Sequence, residues 1–132
     1  MPRNIERDEK EAMRRREQLM EAGFRLFSQY GIENVSLQRV ADAAEVGIAT
    51  LYNYYQTKVK LVIAISGKIW GDLWKEILEE KGPELFESFT AYQYIEFYTD
   101  QIIRIYRERP EILRFSNNYK NFISREKVKG EA

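Results

Sequence analysis

Twelve consecutive residues, Val46 to Thr57, carry no formal charge in a chain in which 32% of residues are charged. Among them are Tyr52, Tyr54, Tyr55, Asn53, Thr50 and Thr57, so the segment offers hydroxyl and amide groups without ions. Groups of this kind recognise hydrogen-bonding surfaces; they do not by themselves transfer protons or attack carbonyls. On a helical wheel at about 100° per residue, Ile48, Leu51 and Tyr55 cluster on one side. Ala49, Thr50 and Asn53 lie on the other, with Tyr52 and Tyr54 at opposite rims. A DNA major groove about 12 Å wide admits a helix whose front is slim, and its base edges are read by short polar and methyl groups, Asn being suited to adenine. Rim hydroxyls reach phosphates and fix register, and Lys58, at the start of the next helix, adds a charge near a positive helix end. Carboxylates on that front would face phosphates and be repelled, so their absence is what a DNA-reading surface requires.

Other chemistries lack their parts. The chain has no cysteine and no histidine, which removes disulfides, thiolate metal sites, the commonest general base and the commonest transition-metal ligand. Tyr30, Glu33 and Asp42 supply no nucleophile paired with a base, and there is no phosphate-cradling glycine loop. The expectation is a protein that is not an enzyme and uses no cofactor or metal. Net charge is zero, 21 basic against 21 acidic residues, so a nucleic-acid partner must be recognised by a local site and not by the field of the whole molecule.

The chain has 132 residues, 44% of them hydrophobic, enough for one core. A membrane span needs about 18 consecutive apolar residues, and no such run occurs. The leader Met1-Pro2-Arg3-Asn4 runs straight into charges, without the apolar stretch of a secretory signal. These features predict a soluble, cytoplasmic protein with no membrane partner.

Proline stands only at positions 2, 83 and 110, which leaves long stretches open to helix. Leu19, Ala22, Gly23, Leu26, Phe27 and Tyr30 share one helical stripe, predicting a first helix that begins near Glu9 to Arg14 and stops at Gly31. Ser36 is a good N-cap for a short second helix carrying Leu37, Val40, Ala41 and Ala44. A tight turn at residues 44–47 then leads into a helix over Ile48 to Tyr55, a helix-turn-helix. A long helix opens near Thr57 or Lys58 and ends at Gly82-Pro83, with Gly67 and Gly71 inside it either for close packing or merely tolerated. Two more helices meet at Pro110, and Arg125 to Ala132 is expected to fray. No strand pattern occurs, so the fold class is all-α with about six helices.

The run from Ser36 to Ala41, then Ala44 to Tyr55, then Lys58 to Leu61 resembles the DNA-binding domain of the tetracycline-repressor (TetR) family of helix-turn-helix transcriptional regulators. Ala22 to Gly31 looks like that family's first helix with its aromatic-glycine stop. The resemblance covers roughly Arg14 to Trp74, and its Thr-Leu-Tyr-x-Tyr-aromatic core, here Thr50 to Tyr55, is specific. It implies base contacts by Gln38, Ile48 and Ala49, and phosphate contacts by Ser36 or Leu37, Thr50, Tyr52, Tyr54 and Lys58. With Gly47 at the start of the third helix and Asn53 on its outer face, these residues form the expected DNA-binding set. The wheel turns Ile48 towards the core, whereas the resemblance turns it towards bases. Two departures stand out: the family usually has Gly where this chain has Glu45, and a Ser-like cap where it has Gly47.

The resemblance further implies a three-helix head, residues 1–56, and a linking helix with part of a helical ligand-binding and dimerisation domain, residues 57–132. The chain is shorter than family members usually are, which is why that second domain is expected only in part. The implied activity is that of an effector-responsive repressor binding a palindromic operator on double-stranded DNA as a homodimer. Movement of the linking helix would alter the roughly 34–36 Å between recognition helices that successive major grooves demand. A small-molecule effector would sit among Trp70, Trp74, Tyr94, Tyr98, Ile102, Tyr106, Phe115 and Tyr119, although aromatic stripes at helical spacing are more often plain core. Arg14, Arg15 and Arg16 read as a solvated face in preference to a phosphate-binding arm, since Glu11 and Glu17 flank them. Two alternatives fit the same fold: a protein-interaction module that has lost DNA binding, favoured by zero net charge, Glu45 and the lack of Arg or Lys between Arg39 and Lys58, or a small-molecule sensor built on the aromatic lobe.

Overall fold

The computed structural model describes residues 5–82 and 84–130, without the side chains of Leu85 and Phe86. Residues 1–4, Pro83 and residues 131–132 lie outside it, and with them the leader and the proline half of the Gly82-Pro83 stop. In chain order the helices are α1 (Ile5–Tyr30), α2 (Leu37–Ala44), α3 (Ile48–Tyr54), α4 (Lys58–Lys81), α5 (Glu84–Glu87), α6 (Ala91–Glu108) and α7 (Pro110–Lys129). A single 3-10 turn, Ile32–Asn34, joins α1 to α2, and there is no strand among the described residues.

Helix α1 is already formed at Ile5, ahead of the expected start. Apolar periodicity marks only its buried part, from Leu19 onward; the upstream turns are held by acidic residues at the N-terminal end, Glu6 and Asp8, and by the Arg15–Glu11 pair one turn apart at 3.5 Å. Gly31 ends the helix at φ 91°, its N–H bonded to the Phe27 carbonyl at 2.9 Å. Of the expected stripe, Leu19, Ala22, Gly23, Leu26 and Phe27 are buried, while Tyr30 faces out under the Arg39 guanidinium, 4.3 Å from its ring centroid.

Local signals set the remaining ends. The Ser36 hydroxyl accepts from the Arg39 N–H at 3.1 Å and the Thr57 hydroxyl from the Lys60 N–H at 3.2 Å, each capping a helix. Thr90 and Gln93 form a reciprocal capping box at the start of α6, and Pro110 occupies the first turn of α7. The far end of α7 corrects the expectation of fraying. It stays helical to Lys129 because it is tied down: Glu126 is buried, and Arg125 forms an ion pair with Glu33 in the 3-10 turn.

One buried cluster unites Leu19, Phe27, Ile32, Val40, Leu51, Leu61, Val62 and Ile65 with Phe115 and Phe122 of α7. A second, smaller one gathers Leu73, Ile77, Ile105 and Ile112. The turn at residues 55–57 is thus a boundary along the chain that the larger core crosses. Close approach of α1 and α4 rests on Gly23, where an added Cβ would lie 2.8 Å from the Ile65 Cδ1. At Gly67 and Gly71 a Cβ would meet nothing within 4 Å, so tolerance, and not packing, accounts for both.

Candidate nucleic-acid interface

The α2–α3 turn closes in a way that its sequence disguises. Glu45 stands at φ 58°, ψ 38°, in the left-handed region, and donates its N–H to the Asp42 carbonyl at 3.2 Å. Val46 donates to the Ala41 carbonyl at 3.0 Å, and these two side chains share the large apolar cluster, completing the helix stop usually built on glycine. The left-handed conformation costs a non-glycine residue about 1–2 kcal/mol. Glu45→Gly relieves that strain and loses part of the gain to backbone entropy, so a net stabilisation of about 0.5–1 kcal/mol is expected by thermal or urea unfolding.

From this turn α3 emerges with Leu51 fully buried and Tyr55, just past its end, 8% exposed. Gly47, Ala49, Tyr52 and Asn53 are exposed, and Ile48, Thr50 and Tyr54 are half-buried. Leu51 and Tyr55 thus take the wheel's inner side and Ala49 and Asn53 its outer side, whereas Thr50, turned outward by the wheel, is half-buried, and Ile48 packs against the core cluster while keeping part of its surface in solvent. Gly47 caps α3 without a side chain, and a Cβ there would meet nothing within 4 Å.

The flanking residues are placed less uniformly. Ser36 is exposed; its oxygen lone pair serves as the α2 cap, which leaves the hydroxyl hydrogen for an outside acceptor. Leu37 is half-buried against the core. The Gln38 amide is exposed but donates to the Asp42 carboxylate at 2.9 Å, a partner one turn away that the sequence reading did not connect to it. Lys58 has a partner within the chain: its ammonium donates to the Ile32 carbonyl at 2.9 Å, and the side chain is half-buried. Burial holds its pKa below the ordinary lysine value, while the Glu33 and Glu126 carboxylates push it back up. The charge ties α4 to the 3-10 turn and faces the end of α7.

Two cations that the sequence left aside stand beside the helix-turn-helix on aromatic rings. Arg39 lies over Tyr30, and the Arg16 guanidinium lies 5.3 Å from the centroid of the Tyr54 ring. The only signal available for them was a basic residue and a tyrosine on neighbouring elements, which spacing alone does not pair.

The aromatic lobe does not gather its eight candidates into one cavity. Trp74, Tyr94 and Tyr98 line a hollow of about 230 Å³ with Leu78 and Phe97, the Trp74 and Tyr98 rings stacked at 5.1 Å. Trp70 meets Tyr106 edge-on at 5.9 Å, and Ile102 is half-buried on α6. Phe115 and Tyr119 stack on each other at 6.1 Å, and both belong to the cluster built around α1. The reason is the face of α7 they occupy, which turns towards α1 and away from α6. No group of three or more His, Cys, Asp or Glu side chains that could hold a metal occurs among the described residues. No described helix is long and apolar enough to cross a membrane.

The family model for bacterial regulatory proteins of the tetR family matches residues 19–65, the span from the first buried residue of α1 into α4. Residues 19–65 carry this likeness to the tetR family. Curated relatives carry names of HTH-type regulators. The HTH-type transcriptional repressor KstR of Mycobacterium tuberculosis is 37% identical over 54 residues, 41% of this chain and 24% of that protein. KstR of Mycolicibacterium smegmatis is 29% identical over 96 residues, 73% of this chain and 45% of that protein. An HTH-type transcriptional regulator of Staphylococcus aureus is 35% identical over 52 residues, 39% of this chain and 28% of that protein. The chain thus spans less than half the length of the curated relatives it matches. Among solved structures, a TetR-family transcriptional regulator from Haemophilus influenzae matches with a TM-score of 0.59 and 20% identity, over 89% of this chain and 63% of that one, a likeness of fold. The tetR-family match ends inside α4, whereas the core of the head continues into α7 through Phe115 and Phe122.

Proposed function

We propose that this chain is the DNA-binding part of a sequence-specific transcriptional regulator, a repressor that binds a palindromic operator as a two-fold dimer in the cytoplasm. The observation that carries the reading is the front of α3: Gly47, Ala49, Tyr52 and Asn53 stand in solvent with no charge among them, while Leu51 and Tyr55 fix the helix to the core. Asn53 and Gln38 are the base-reading amides, Ala49 and Ile48 supply apolar contact to thymine methyls, and Ser36, Thr50, Tyr52 and Tyr54 bind phosphates. With no Arg or Lys on α3 itself, sequence preference draws also on DNA shape. An apolar effector in the Trp74–Tyr94–Tyr98 hollow would act through α4, which carries one wall of that hollow and, at its other end, abuts the head.

Fluorescence anisotropy on mixed genomic fragments at rising salt tests this reading. Log affinity should fall linearly with log salt, by about 0.9 for each phosphate neutralised. Tyr52→Ala should weaken all sequences alike, and Gln38→Ala should chiefly relax preference. Absence of binding at low salt, or affinity indifferent to salt, would leave the protein-interaction reading in its place.

A further inference from the structure

Three consecutive arginines of α1 carry the same charge, yet the structure treats them differently. Arg15 pairs with Glu11 on the solvent side of the helix. Arg14 is exposed and makes no aromatic contact among the described residues. Arg16 alone turns onto α3, its guanidinium 5.3 Å from the Tyr54 ring centroid, within the range of a cation–π contact. Tyr54 is half-buried at the rim of the recognition face, so the cation stands at the edge of the surface offered to DNA. Its field also reaches the neighbouring Tyr55 hydroxyl, whose pKa is raised by burial and drawn partly back down by Arg16.

Among the described residues no carboxylate pairs with Arg16, and the residue is exposed, so its N–H fork keeps its donors for an outside acceptor. We infer that Arg16 is an additional phosphate-contacting residue of this DNA-binding head, positioned by the Tyr54 ring. The inference rests on the function proposed above and extends its interface from the helix-turn-helix onto α1. A planar guanidinium matches two oxygens of a phosphodiester, and a ring that already holds the side chain lowers the ordering cost of making that contact. Tyr54 then acts twice, through its hydroxyl on a phosphate and through its face on Arg16.

The experiment is a set of salt titrations of DNA affinity on the intact chain. Arg16→Ala should lower affinity several-fold for every sequence and reduce the log–log salt slope by about 0.9 per head. Arg15→Ala removes the same charge from the adjacent position and should leave the slope close to wild type. In a Tyr54→Phe background, which keeps the ring and drops the hydroxyl, Arg16→Ala should retain its full effect. In a Tyr54→Leu background the effect should shrink. If Arg16→Ala keeps the wild-type slope, or if Arg15→Ala matches it, the inference is overturned while the regulator reading stands. If the wild-type chain binds no DNA at all, the function proposed above fails first. Thermal unfolding of Arg16→Ala accompanies the titrations, since a residue that only rivets α1 to α3 would lower the melting temperature and leave the slope alone.

Discussion

Ala49→Glu should abolish DNA binding and leave the head folded. Ala49 is the second residue of α3, exposed, on the front that carries Asn53 one turn later. A carboxylate in the first turn of a helix interacts favourably with the unsatisfied N–H groups there, by about 0.3–1 kcal/mol, so the free protein should melt at the wild-type temperature or slightly above. In a groove lined on both sides by phosphates the same carboxylate is repelled and loses its water, a juxtaposition that costs several kcal/mol. A loss of about 100-fold or more is expected, because each 1.4 kcal/mol is tenfold in affinity. Ala49→Gln adds the same bulk without the charge and should retain most of the affinity that Glu loses. Anisotropy with both variants, beside their unfolding curves, decides the matter. Glu binding within threefold of wild type would mean that this front never meets phosphate, whatever else the fold resembles.

Much of that front was legible in the sequence because its determinants are local. The wheel of α3 needs only residues 48–55; the α1 stripe needs only its own spacing; Ser36 and Thr57 cap helices that begin at the next residue. Even the cost of Glu45 follows from its place after Ala44, and the left-handed backbone is found there. What escaped depends on partners distant along the chain. Lys58 reads as a free charge until Ile32, 26 residues earlier, offers its carbonyl and Glu126 arrives from α7. Gly23 looks like one small residue in a stripe until Ile65 packs over it, whereas at Gly67 and Gly71, the more conspicuous pair, an added Cβ would meet nothing within 4 Å. Arg16 and Tyr54 lie on separate elements, and the choice of Arg16 over Arg14 and Arg15 is a matter of helix phase against α3. The eight pocket candidates failed to form one pocket for the same reason: helical spacing shows that Phe115 and Tyr119 share a face with Phe122, but not which helix covers that face.

Phe115→Ala should destabilise the three-helix head, although residue 115 lies far beyond the tetR-family match. The ring is 1% exposed, 5.5 Å from Phe24 of α1, and belongs to the cluster that holds Phe27, Leu51 and Leu61. Truncating a buried phenylalanine removes its transfer energy and leaves a cavity, typically about 3–5 kcal/mol together. Against a total of about 5–15 kcal/mol for an ordinary domain, this is a large share. Because one core spans α1, α2, α4 and α7, far-UV dichroism and DNA binding should be lost in one transition, lowered by roughly 10–20 °C for a domain of this size. Tyr94→Ala supplies the contrast: 52% exposed on α6 and outside that cluster, it should cost under about 1 kcal/mol. The same reasoning holds for the head cut out at residue 56, which would lose Leu61, Val62 and Phe115 from around Phe27 and should not fold alone. If Phe115→Ala lowered only the melting of the second lobe, with DNA still bound above that temperature, the head would be self-sufficient and the contact with α7 a docking of two independent units. The expected single transition instead makes α7 a structural part of the head, so that any change in how α7 sits must be felt at α1 and at the helix-turn-helix anchored to it.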